Sequence, residues 1–301
     1  MRETQELCAA LRAAGVPFLC AEPLSAHTTF RIGGPAAVFC EPESDGQLAA
    51  ALQLCRAHGV RRYLLGRGSN VLFSDAGFDG AVVHLGEAMG GVRAEGSTVL
   101  ARAGEPLSRV CLAAADAGLS GLEFAYGIPG NVGGAVYMNA GAYGGEMKDV
   151  LQSVTFLDET GAVRTLPAPQ LELAYRSSVF ARQPWCVLEA AFALHPDDAA
   201  AVHARMRDYA ARRAEKQPLE MPSAGSTFKR PQGAYAGALI DSCGLRGFQV
   251  GGAAISRKHC GFVVNMGGAT CADVLALTDR VCAIVKEKTG FTLEKEIRVV
   301  E

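Results

Sequence analysis

The chain carries a dense run of glycines between residues 121 and 145, with eight glycines in 25 residues. A glycine inside a helix or a strand costs roughly 0.5–1 kcal/mol relative to alanine, so this density predicts neither element here. Chains tolerate such a run where the backbone must pass close to a flat or charged group. The alternative is a glycine-rich loop that packs on its own side chains.

A second, shorter glycine segment, Gly66–Asn70, follows a predicted strand. Its glycines let the backbone turn tightly and expose main-chain N–H groups, which together with the Ser69 hydroxyl and the Asn70 amide suit a pyrophosphate. The segment lacks the GxGxxG spacing of a Rossmann loop, and no helix clearly starts at it. A plain strand-connecting turn is the alternative. Two segments of this type in one half of the chain favour a dinucleotide-binding site.

Composition narrows the class of protein. The 301 residues are 49% hydrophobic and 20% charged, which is typical of a folded chain with a large core. Lys and Arg number 29 against 31 for Asp and Glu, and this near balance argues against nucleic acid or an anionic membrane as a partner. No run approaches about 18 apolar residues, and the first residues are amphipathic and include acids, unlike a signal peptide. We therefore expect a cytoplasmic protein without membrane insertion.

The ten cysteines are dispersed, and no two of them form a CxxC pair. A zinc site is therefore not expected, nor is any other metal. Their apolar surroundings indicate reduced thiols in the core of a cytosolic protein.

Hydrophobic periodicity predicts an α+β fold with mostly antiparallel strands and short helices on the outside. Helices are expected over residues 3–14, 47–58, 106–118, 197–216, 234–242 and 270–290. Strands are expected at 61–66, 81–85, 185–194 and 296–300, with hairpins at 91–104 and 153–166 and further strands between 247 and 265. Asp197 is expected to open the long charged helix. Val274, Leu277, Val281 and Ile284 are expected to form the buried face of the last helix.

Six segments resemble those of the UDP-N-acetylenolpyruvoylglucosamine reductases. They are HTTFRIGGPA (27–36), LGRGSNVLFSDAGFDGAVV (65–83), GLEFAYGIPGNVGGAVYMNAGAYGGEM (121–147), AYRSSVF (174–180), PSAGSTFKRP (222–231) and LEKEIR (293–298). Any one of them is modest evidence. Six in the family's order, with similar spacings and across nearly the whole chain, are specific.

The resemblance implies a fold and a reaction. The fold is α+β, with a two-subdomain FAD-binding module of the vanillyl-alcohol-oxidase-like type plus a C-terminal α+β substrate domain. The reaction is reduction of UDP-N-acetylglucosamine enolpyruvate to UDP-N-acetylmuramate in peptidoglycan precursor synthesis. Non-covalent FAD is the implied cofactor, and NADPH is the implied co-substrate.

We place domain boundaries so that residues 1–85 form FAD-binding subdomain 1 and residues 86–204 form subdomain 2. Residues 205–301 form the substrate-binding domain, with its last strand returning toward the flavin site. Only 49 residues separate Arg176 from Ser226, so the chain resembles the shorter subtype of the family, which lacks an insertion with a substrate-gating tyrosine. Which residue closes over the substrate is left open.

By the same resemblance, both glycine segments are expected to hold FAD. The expected cofactor-binding residues are Gly66, Arg67, Gly68, Ser69, Asn70, Gly127, Ile128, Pro129, Gly130, Gly133, Gly134, Asn139, Gly141, Ala142, Tyr143 and Gly144. Neither segment contains a histidine or a cysteine that could attach the flavin covalently.

Three residues match the family's catalytic positions. Arg176 in AYRSS is expected to bind the substrate carboxylate through its guanidinium, although a lone arginine is by default a surface ion-pair partner. Ser226 in AGSTF matches the proton-donor position, and Glu296 matches the catalytic acid beside the α-carbon. Glu294 would share a strand face with Glu296 and is the competing assignment.

Further basic and polar residues are expected on the substrate side. They are Tyr175, Lys216, Lys229, Arg230, His259 and Asn265. The alternatives are a solvated charged face for the lysines and the arginine, an ordinary surface position for the histidine, and core packing for the tyrosine.

Two other classes of function stay open at this point. A flavin oxidase of an alcohol or a sugar would use oxygen and need no NADPH. A non-catalytic nucleotide-sugar-binding protein would be expected to lose Arg176, Ser226 and Glu296, and all three are present. For the reductase we expect small-molecule substrates as partners, no nucleic acid, and a monomer.

Overall fold

Short helices and strands alternate along residues 2–301, the part of the chain that the computed structural model describes. The helices are α1 (Arg2–Ala13), α2 (Asp45–Ala57), α3 (Leu107–Asp116), α4 (Val132–Met138), α5 (Ala199–Lys216), α6 (Ala236–Ser242) and α7 (Cys271–Thr289).

The strands of the first half are β1 (Phe18–Pro23), β2 (Pro35–Cys40), β3 (Arg62–Leu65), β4 (Val71–Phe73), β5 (Phe78–His84), β6 (Val92–Glu95), β7 (Thr98–Arg102), β8 (Leu119–Ser120), β9 (Gly141–Ala142) and β10 (Gly145–Glu146). Those of the second half are β11 (Leu151–Leu157), β12 (Val163–Pro167), β13 (Cys186–Ala193), β14 (His195–Pro196), β15 (Ser223–Ser226), β16 (Gln249–Val250), β17 (Ala253–Ile255), β18 (Phe262–Asn265) and β19 (Arg298–Val300). The predicted helices and hairpins are confirmed to within a few residues.

Two details of the predicted helices were wrong. Helix α5 begins at Ala199, and its cap is Asp198, whose Oδ1 accepts the Ala201 N–H at 2.8 Å. Asp197 lies one residue before the cap, and its two carboxylate oxygens accept from the Asp198 N–H at 2.7 Å and from Arg205 Nη2 at 2.5 Å. In α7, Val285 takes the buried position that was expected of Ile284.

The glycine-rich segment does contain a helix, α4, contrary to the prediction. Asn131 caps its N-terminus by accepting the Gly134 N–H at 3.2 Å, and Asn139 ends it with a left-handed φ of 42°. A Cβ at Gly133 would lie 3.2 Å from the Cβ of Ala103. Glycine at 133 therefore lets the helix pack closely on that residue, and this packing outweighs the low helix propensity of glycine.

Contacts divide the chain into two compact units. Unit 1 comprises the N-terminal stretch up to Cys20, Val38–Arg67 and Gly80–Arg213, and unit 2 comprises Ala21–Ala37, Gly68–Asp79 and Ala214–Glu301. The division into 1–85, 86–204 and 205–301 stays a prediction.

Unit 1 contains two larger sheets, each with its own hydrophobic core, and two short two-stranded sheets, β10-β9 and β14-β8. The four-stranded sheet has the order β1-β2-β5-β3, with β3 parallel to β5, and α1 and α2 pack on it through Leu7, Leu11 and Leu48. The five-stranded sheet has the order β12-β11-β13-β7-β6 and is antiparallel. Its core holds α3 and α4 against Phe156 and Phe192.

Unit 2 is built on an antiparallel sheet of order β15-β18-β17-β16. Helices α6 and α7 belong to the same core, with Ile240, Val274, Leu277 and Val281 fully buried. Strand β19 pairs in parallel with β4, which ties the last residues to the segment after the second glycine loop. The predicted α+β class with mostly antiparallel strands is confirmed.

Not all of the cysteines are core thiols, contrary to the prediction. Seven are buried, but Cys8 and Cys282 are half-buried. Cys20 is exposed on strand β1, which lies at the edge of its sheet.

None of the helices within residues 2–301 is long and apolar enough to cross a membrane. Over the same residues, no group of three or more His, Cys, Asp or Glu side chains is arranged to bind a metal ion.

Candidate active site

Ser226 stands at the end of β15, where the strand carries a bulge. Ser223 pairs with Val264 and Ser226 with Phe262, so three steps along one strand oppose two steps along the other. Gly225 has a φ of +74°, a conformation that side chains rarely adopt. Such bulges re-aim side chains, and here Ser226 is exposed.

The segment that carries Glu296 runs beside Ser226 within unit 2. The Glu296 N–H donates to the Thr227 carbonyl at 2.8 Å, and the Lys229 N–H donates to the Glu294 carbonyl at 2.8 Å. Between these two bonds, Phe228 and Lys295 form an antiparallel bridge. The structure therefore brings together two of the three predicted catalytic residues, Ser226 and Glu296, on adjacent stretches of backbone.

Glu294, the competing assignment, has a different environment. Its carboxylate accepts from Lys229 Nζ at 3.0 Å, and the two side chains are 70% and 44% exposed. This is a surface ion pair of the kind that contributes little to stability. Glu296, by contrast, is half-buried. The environment favours Glu296 as the acid.

Part of the second glycine segment joins the same cluster. Asn70 Nδ2 donates to the Glu296 carbonyl at 3.4 Å, and the Asn70 carbonyl accepts the Arg298 N–H at 3.1 Å. Gly68 has a φ of +61°, and a Cβ there would lie 2.2 Å from the carbonyl oxygen of His27. Close backbone approach therefore already requires glycine at 68, whether or not a ligand lies there.

Thr29 is a residue of this cluster that sequence reasoning missed. Its Oγ1 donates to the Ser223 carbonyl at 2.6 Å, and its N–H donates to the Gly68 carbonyl at 3.1 Å. Thr29 thus connects the second glycine segment to β15. The only signal in the sequence is its place in the HTTFR segment.

His259 supports the strand of Ser226 indirectly. Its Nδ1 accepts the Gly261 N–H at 3.0 Å, and the Gly261 carbonyl accepts the Thr227 N–H at 2.8 Å. Burial lowers the pKa of His259, and the charge of Arg246 lowers it further. The ring is therefore neutral at pH 7 and acts as an acceptor at Nδ1.

Arg176 lies in unit 1, on a tight two-residue turn with Tyr175. The turn is closed by reciprocal bonds between Ala174 and Ser177, at 3.0 and 3.1 Å. Arg176 has a φ of +54°, which is uncommon for a residue with a side chain and is found disproportionately at functional sites. Its guanidinium lies over the Tyr175 ring, 5.1 Å from the centroid.

Asn139 holds this turn in place. Its Nδ2 donates to the Ala174 carbonyl at 3.1 Å and to Glu146 Oε2 at 2.9 Å, and its Oδ1 accepts the Lys148 N–H at 2.9 Å. The hydrogen bond from Lys148 lowers the pKa of Glu146, with further lowering from Asn139 and from the charge of Arg176. The Glu146 carboxylate is therefore ionised at neutral pH and is near enough to Arg176 for their charges to interact.

Arg213 is a second residue that sequence reasoning missed. Its Nε is buried and has no hydrogen-bond partner within residues 2–301, and burial lowers the pKa of its guanidinium. A Cβ at Gly127 would lie 2.8 Å from Arg213 Cδ, so glycine makes room for this side chain.

Tyr143, a predicted cofactor-binding residue, has a φ of 53° and is 40% exposed. Its ring stacks on that of Tyr209, with the two centroids 4.6 Å apart.

Several of the predicted cofactor-binding glycines have protein partners. The N–H groups of Val132 and Gly133 donate to the carbonyls of Glu105 and Ala103, and the Gly134 N–H donates to Asn131. These amides of α4 are therefore already used by the fold. A cofactor role for Gly133 and Gly134 stays a prediction.

The predicted substrate-side residues have varied environments. Lys216 is exposed at the end of α5, and the Arg230 guanidinium lies 4.0 Å from the centroid of the Tyr235 ring. Asn265 is buried: its Nδ2 donates to the Phe30 carbonyl at 3.1 Å, and its Oδ1 accepts two main-chain N–H groups. The structure thus gives Asn265 a structural role, and its substrate role stays a prediction.

Residues 217–300 match the family model described as UDP-N-acetylenolpyruvoylglucosamine reductase, C-terminal domain. Residues 35–167 match a model described as FAD binding domain. The chain is 48% identical over 285 residues to the UDP-N-acetylenolpyruvoylglucosamine reductase of Lachnoclostridium phytofermentans. The matched region spans 93% of this chain and 92% of that protein.

Solved structures show the same likeness. The crystal structure of UDP-N-acetylenolpyruvylglucosamine reductase from Thermus caldophilus matches with a TM-score of 0.81 and 36% identity, over 95% of this chain and 99% of that one. BBE-like 1 from Physcomitrella patens matches with a TM-score of 0.53 and 16% identity, over 96% of this chain and 62% of that one, which shows shared fold alone. The predicted fold, an FAD-binding module of the vanillyl-alcohol-oxidase-like type with a C-terminal α+β domain, is confirmed.

Proposed function

Because the chain belongs to the UDP-N-acetylenolpyruvoylglucosamine reductases, we propose that Arg176, Ser226 and Glu296 carry out its reaction. The enzyme is an FAD-containing oxidoreductase that reduces UDP-N-acetylglucosamine enolpyruvate to UDP-N-acetylmuramate in peptidoglycan precursor synthesis, with NADPH as reductant. The observation that carries the residue assignment is the bond from the Glu296 N–H to the Thr227 carbonyl, next to the bulge that exposes Ser226.

The reaction sets two demands on the protein. When hydride adds to the terminal vinyl carbon, negative charge develops on the α-carbon and on its carboxylate. That charge needs a fixed cation or hydrogen-bond donor, and the α-carbon then needs a proton from one face. FAD, when bound, supplies the hydride transfer from NADPH to the substrate.

Ser226 and Glu296 meet the demand for a proton in this proposal. The Ser226 hydroxyl is exposed on the bulge and donates to the α-carbon. Glu296 is half-buried beside the same stretch of backbone, and we place it next to that carbon as a second acid-base residue that acts on the same step as Ser226. The side chains of Asn70 and Thr29 hold the backbone next to these two residues, because they donate to the carbonyls of Glu296 and Ser223.

Arg176 meets the demand for a cation. A guanidinium binds a carboxylate with two parallel hydrogen bonds, which a lysine ammonium cannot do. The turn that presents Arg176 is closed on both sides and is fixed by Asn139. A pre-organised cation of this kind needs little rearrangement as charge develops.

The residues of unit 1 fit an FAD cofactor. The buried Nε of Arg213 has no partner within the described residues, and it lies beside Gly127. A buried N–H without a hydrogen-bond partner is costly, and an oxygen of an anionic diphosphate would satisfy it. We therefore add Arg213 to the proposed cofactor-binding residues, together with Tyr143 and the glycine segments.

The function is tested by anaerobic mixing of the purified protein with NADPH and then with the enolpyruvyl nucleotide sugar. NADPH should bleach the visible absorbance, and the nucleotide sugar should restore it without oxygen. The UDP-N-acetylmuramate formed is measured by mass spectrometry. If only oxygen restores the absorbance, the protein is an oxidase and the proposal fails.

Cellular location and oligomeric state complete the proposal. The nucleotide precursors of peptidoglycan are made in the bacterial cytoplasm, and we place the enzyme there. The monomer expected from the sequence stays a prediction, which light scattering at enzyme-assay concentrations would check.

A further inference from the structure

Cys8 and Cys20 form a thiol pair that the proposed reaction does not use. Cys8 lies on α1 and Cys20 on β1, and their Sγ atoms are 3.7 Å apart. Both belong to unit 1, in its N-terminal stretch. A disulfide needs the two sulfur atoms at about 2 Å, so the two Sγ atoms must come about 1.7 Å closer for the bond to form.

The two thiols differ in their exposure to solvent, which determines which of them an oxidant reaches first. Cys20 is exposed on an edge strand, whereas Cys8, on α1, is half-buried. Burial, reinforced by Cys20, raises the pKa of Cys8 to about 11. An oxidant in solution therefore meets Cys20 first, and Cys8 is placed to attack the product.

We propose that Cys8 and Cys20 form a reversible disulfide when the protein meets a low-molecular-weight disulfide oxidant. The Cys20 thiolate attacks the oxidant, forms a mixed disulfide and releases one small thiol. The Cys8 thiolate then attacks the Cys20 sulfur and releases the second small thiol. The two cysteines lose two electrons and two protons in total, and the oxidant gains both. The bond would join α1 to the edge strand of its sheet.

Cys40 is the competing partner. It lies in the same region, since the thiols of Cys55, Cys8 and Cys20 all influence its ionisation. It is fully buried, however, and burial raises its pKa to about 12. Cys8 also has a raised pKa, so the difference lies in access: a fully buried Cys40 thiol is poorly placed to attack a mixed disulfide on the exposed Cys20.

Tryptic peptides separate these partners cleanly. Cleavage at Arg and Lys puts Cys8 in peptide 3–12 and Cys20 in peptide 13–31, while Cys40 and Cys55 share peptide 32–56. The full-length protein with its flavin is incubated with oxidised glutathione, blocked with iodoacetamide and digested. We expect peptide 3–12 linked to peptide 13–31, with loss of the link after dithiothreitol.

Matched variants make the test decisive. In Cys8→Ser the mixed disulfide on Cys20 should persist, because the resolving thiol is gone. In Cys20→Ser, peptide 3–12 should carry the iodoacetamide block and no glutathione. Cys282→Ser, at a half-buried thiol of unit 2, should leave the link unchanged. Stable glutathionylation of Cys20 in the unmutated protein, or a link to peptide 32–56, would overturn the proposal.

Discussion

At the scale of single residues, backbone strain marks the proposed carboxylate site. Arg176 adopts a positive φ in a turn that glycine or asparagine usually occupies. A residue with a side chain persists there only if the surrounding structure fixes it. The Ala174–Ser177 bridge and the amide of Asn139 supply that constraint.

Replacement of Arg176 by Ala should weaken substrate turnover without affecting NADPH oxidation by the bound flavin. Loss of a pre-organised donor typically costs about 10²–10³-fold in rate, and the KM for the nucleotide sugar should rise as well. Stopped-flow absorbance measures each step. Arg93→Ala is the control, because Arg93 is an exposed arginine of the same unit that pairs with Glu95 and Glu189. Equal effects of the two variants would contradict the assignment.

His259 should make stability depend on pH. Its pKa is lowered in the folded protein, so the unfolded chain binds the proton more readily and stability falls as the pH drops below about 6.5. His259→Asn can accept the Gly261 N–H but does not titrate. Urea unfolding between pH 8 and pH 5 should therefore show a smaller pH dependence in that variant than in the unmutated protein. If the free energy of unfolding changed with pH equally in both proteins, the titration of His259 would not explain the pH dependence.

At the scale of elements, α4 shows how two asparagines and close packing make a helix from a glycine-rich sequence. Asn131 caps one end and Asn139 the other, and Gly133 packs on Ala103. The side chain of Asn139 then reaches both β10 and the turn of Arg176. A short helix thus connects the glycine-rich segment to the proposed carboxylate site.

Asn139→Ala should destabilise the protein by about 2–4 kcal/mol, because three hydrogen bonds of a buried amide are lost. Urea denaturation measures the change. Gln152→Ala is the control, since Gln152 is exposed and its side chain accepts a weak hydrogen bond from Thr98 at 3.5 Å. A loss no larger than that of the control would show that the amide network is unimportant.

Local patterns predicted most elements, because helix periodicity and turn residues act over a few positions. Helix α7, for example, is capped at the predicted Thr270, whose capping box with Asp273 is a local signal, and at the predicted Gly290. Helix α4 was missed because its packing partner, Ala103, lies about thirty residues away in sequence. Arg213 was missed for a similar reason: α5 carries many basic residues, and only tertiary packing buries the Nε of this one.

At the scale of the whole molecule, both the catalytic and the cofactor-binding assignments stay predictions, and the structure bears differently on the two sets. Ser226 and Glu296 come together in unit 2 as the resemblance implied. The glycines were harder to interpret, since Gly68 and Gly133 have packing reasons of their own. A glycine pattern does not tell whether the close neighbour is a ligand or the protein's own backbone.

The flavin should be released when the whole protein is denatured. Neither glycine segment contains a cysteine or a histidine, so no covalent attachment is expected there. After acid precipitation the supernatant should be yellow and the pellet colourless. Added FAD should raise the Tm of the flavin-free protein, because a ligand that binds only the folded state stabilises it. A yellow pellet would contradict non-covalent binding.

The central claim is that Ser226 delivers the proton to the substrate carbon. Rapid-mixing absorbance on Ser226→Ala separates the two half-reactions of the full-length enzyme. Bleaching by NADPH, which needs no proton on carbon, should be nearly unchanged. Recovery with the enolpyruvyl nucleotide sugar should slow by about 10²–10⁴-fold, and Glu296→Gln should act on the same step. Equal slowing of both half-reactions, or no slowing of either, would contradict the proton-donor assignment.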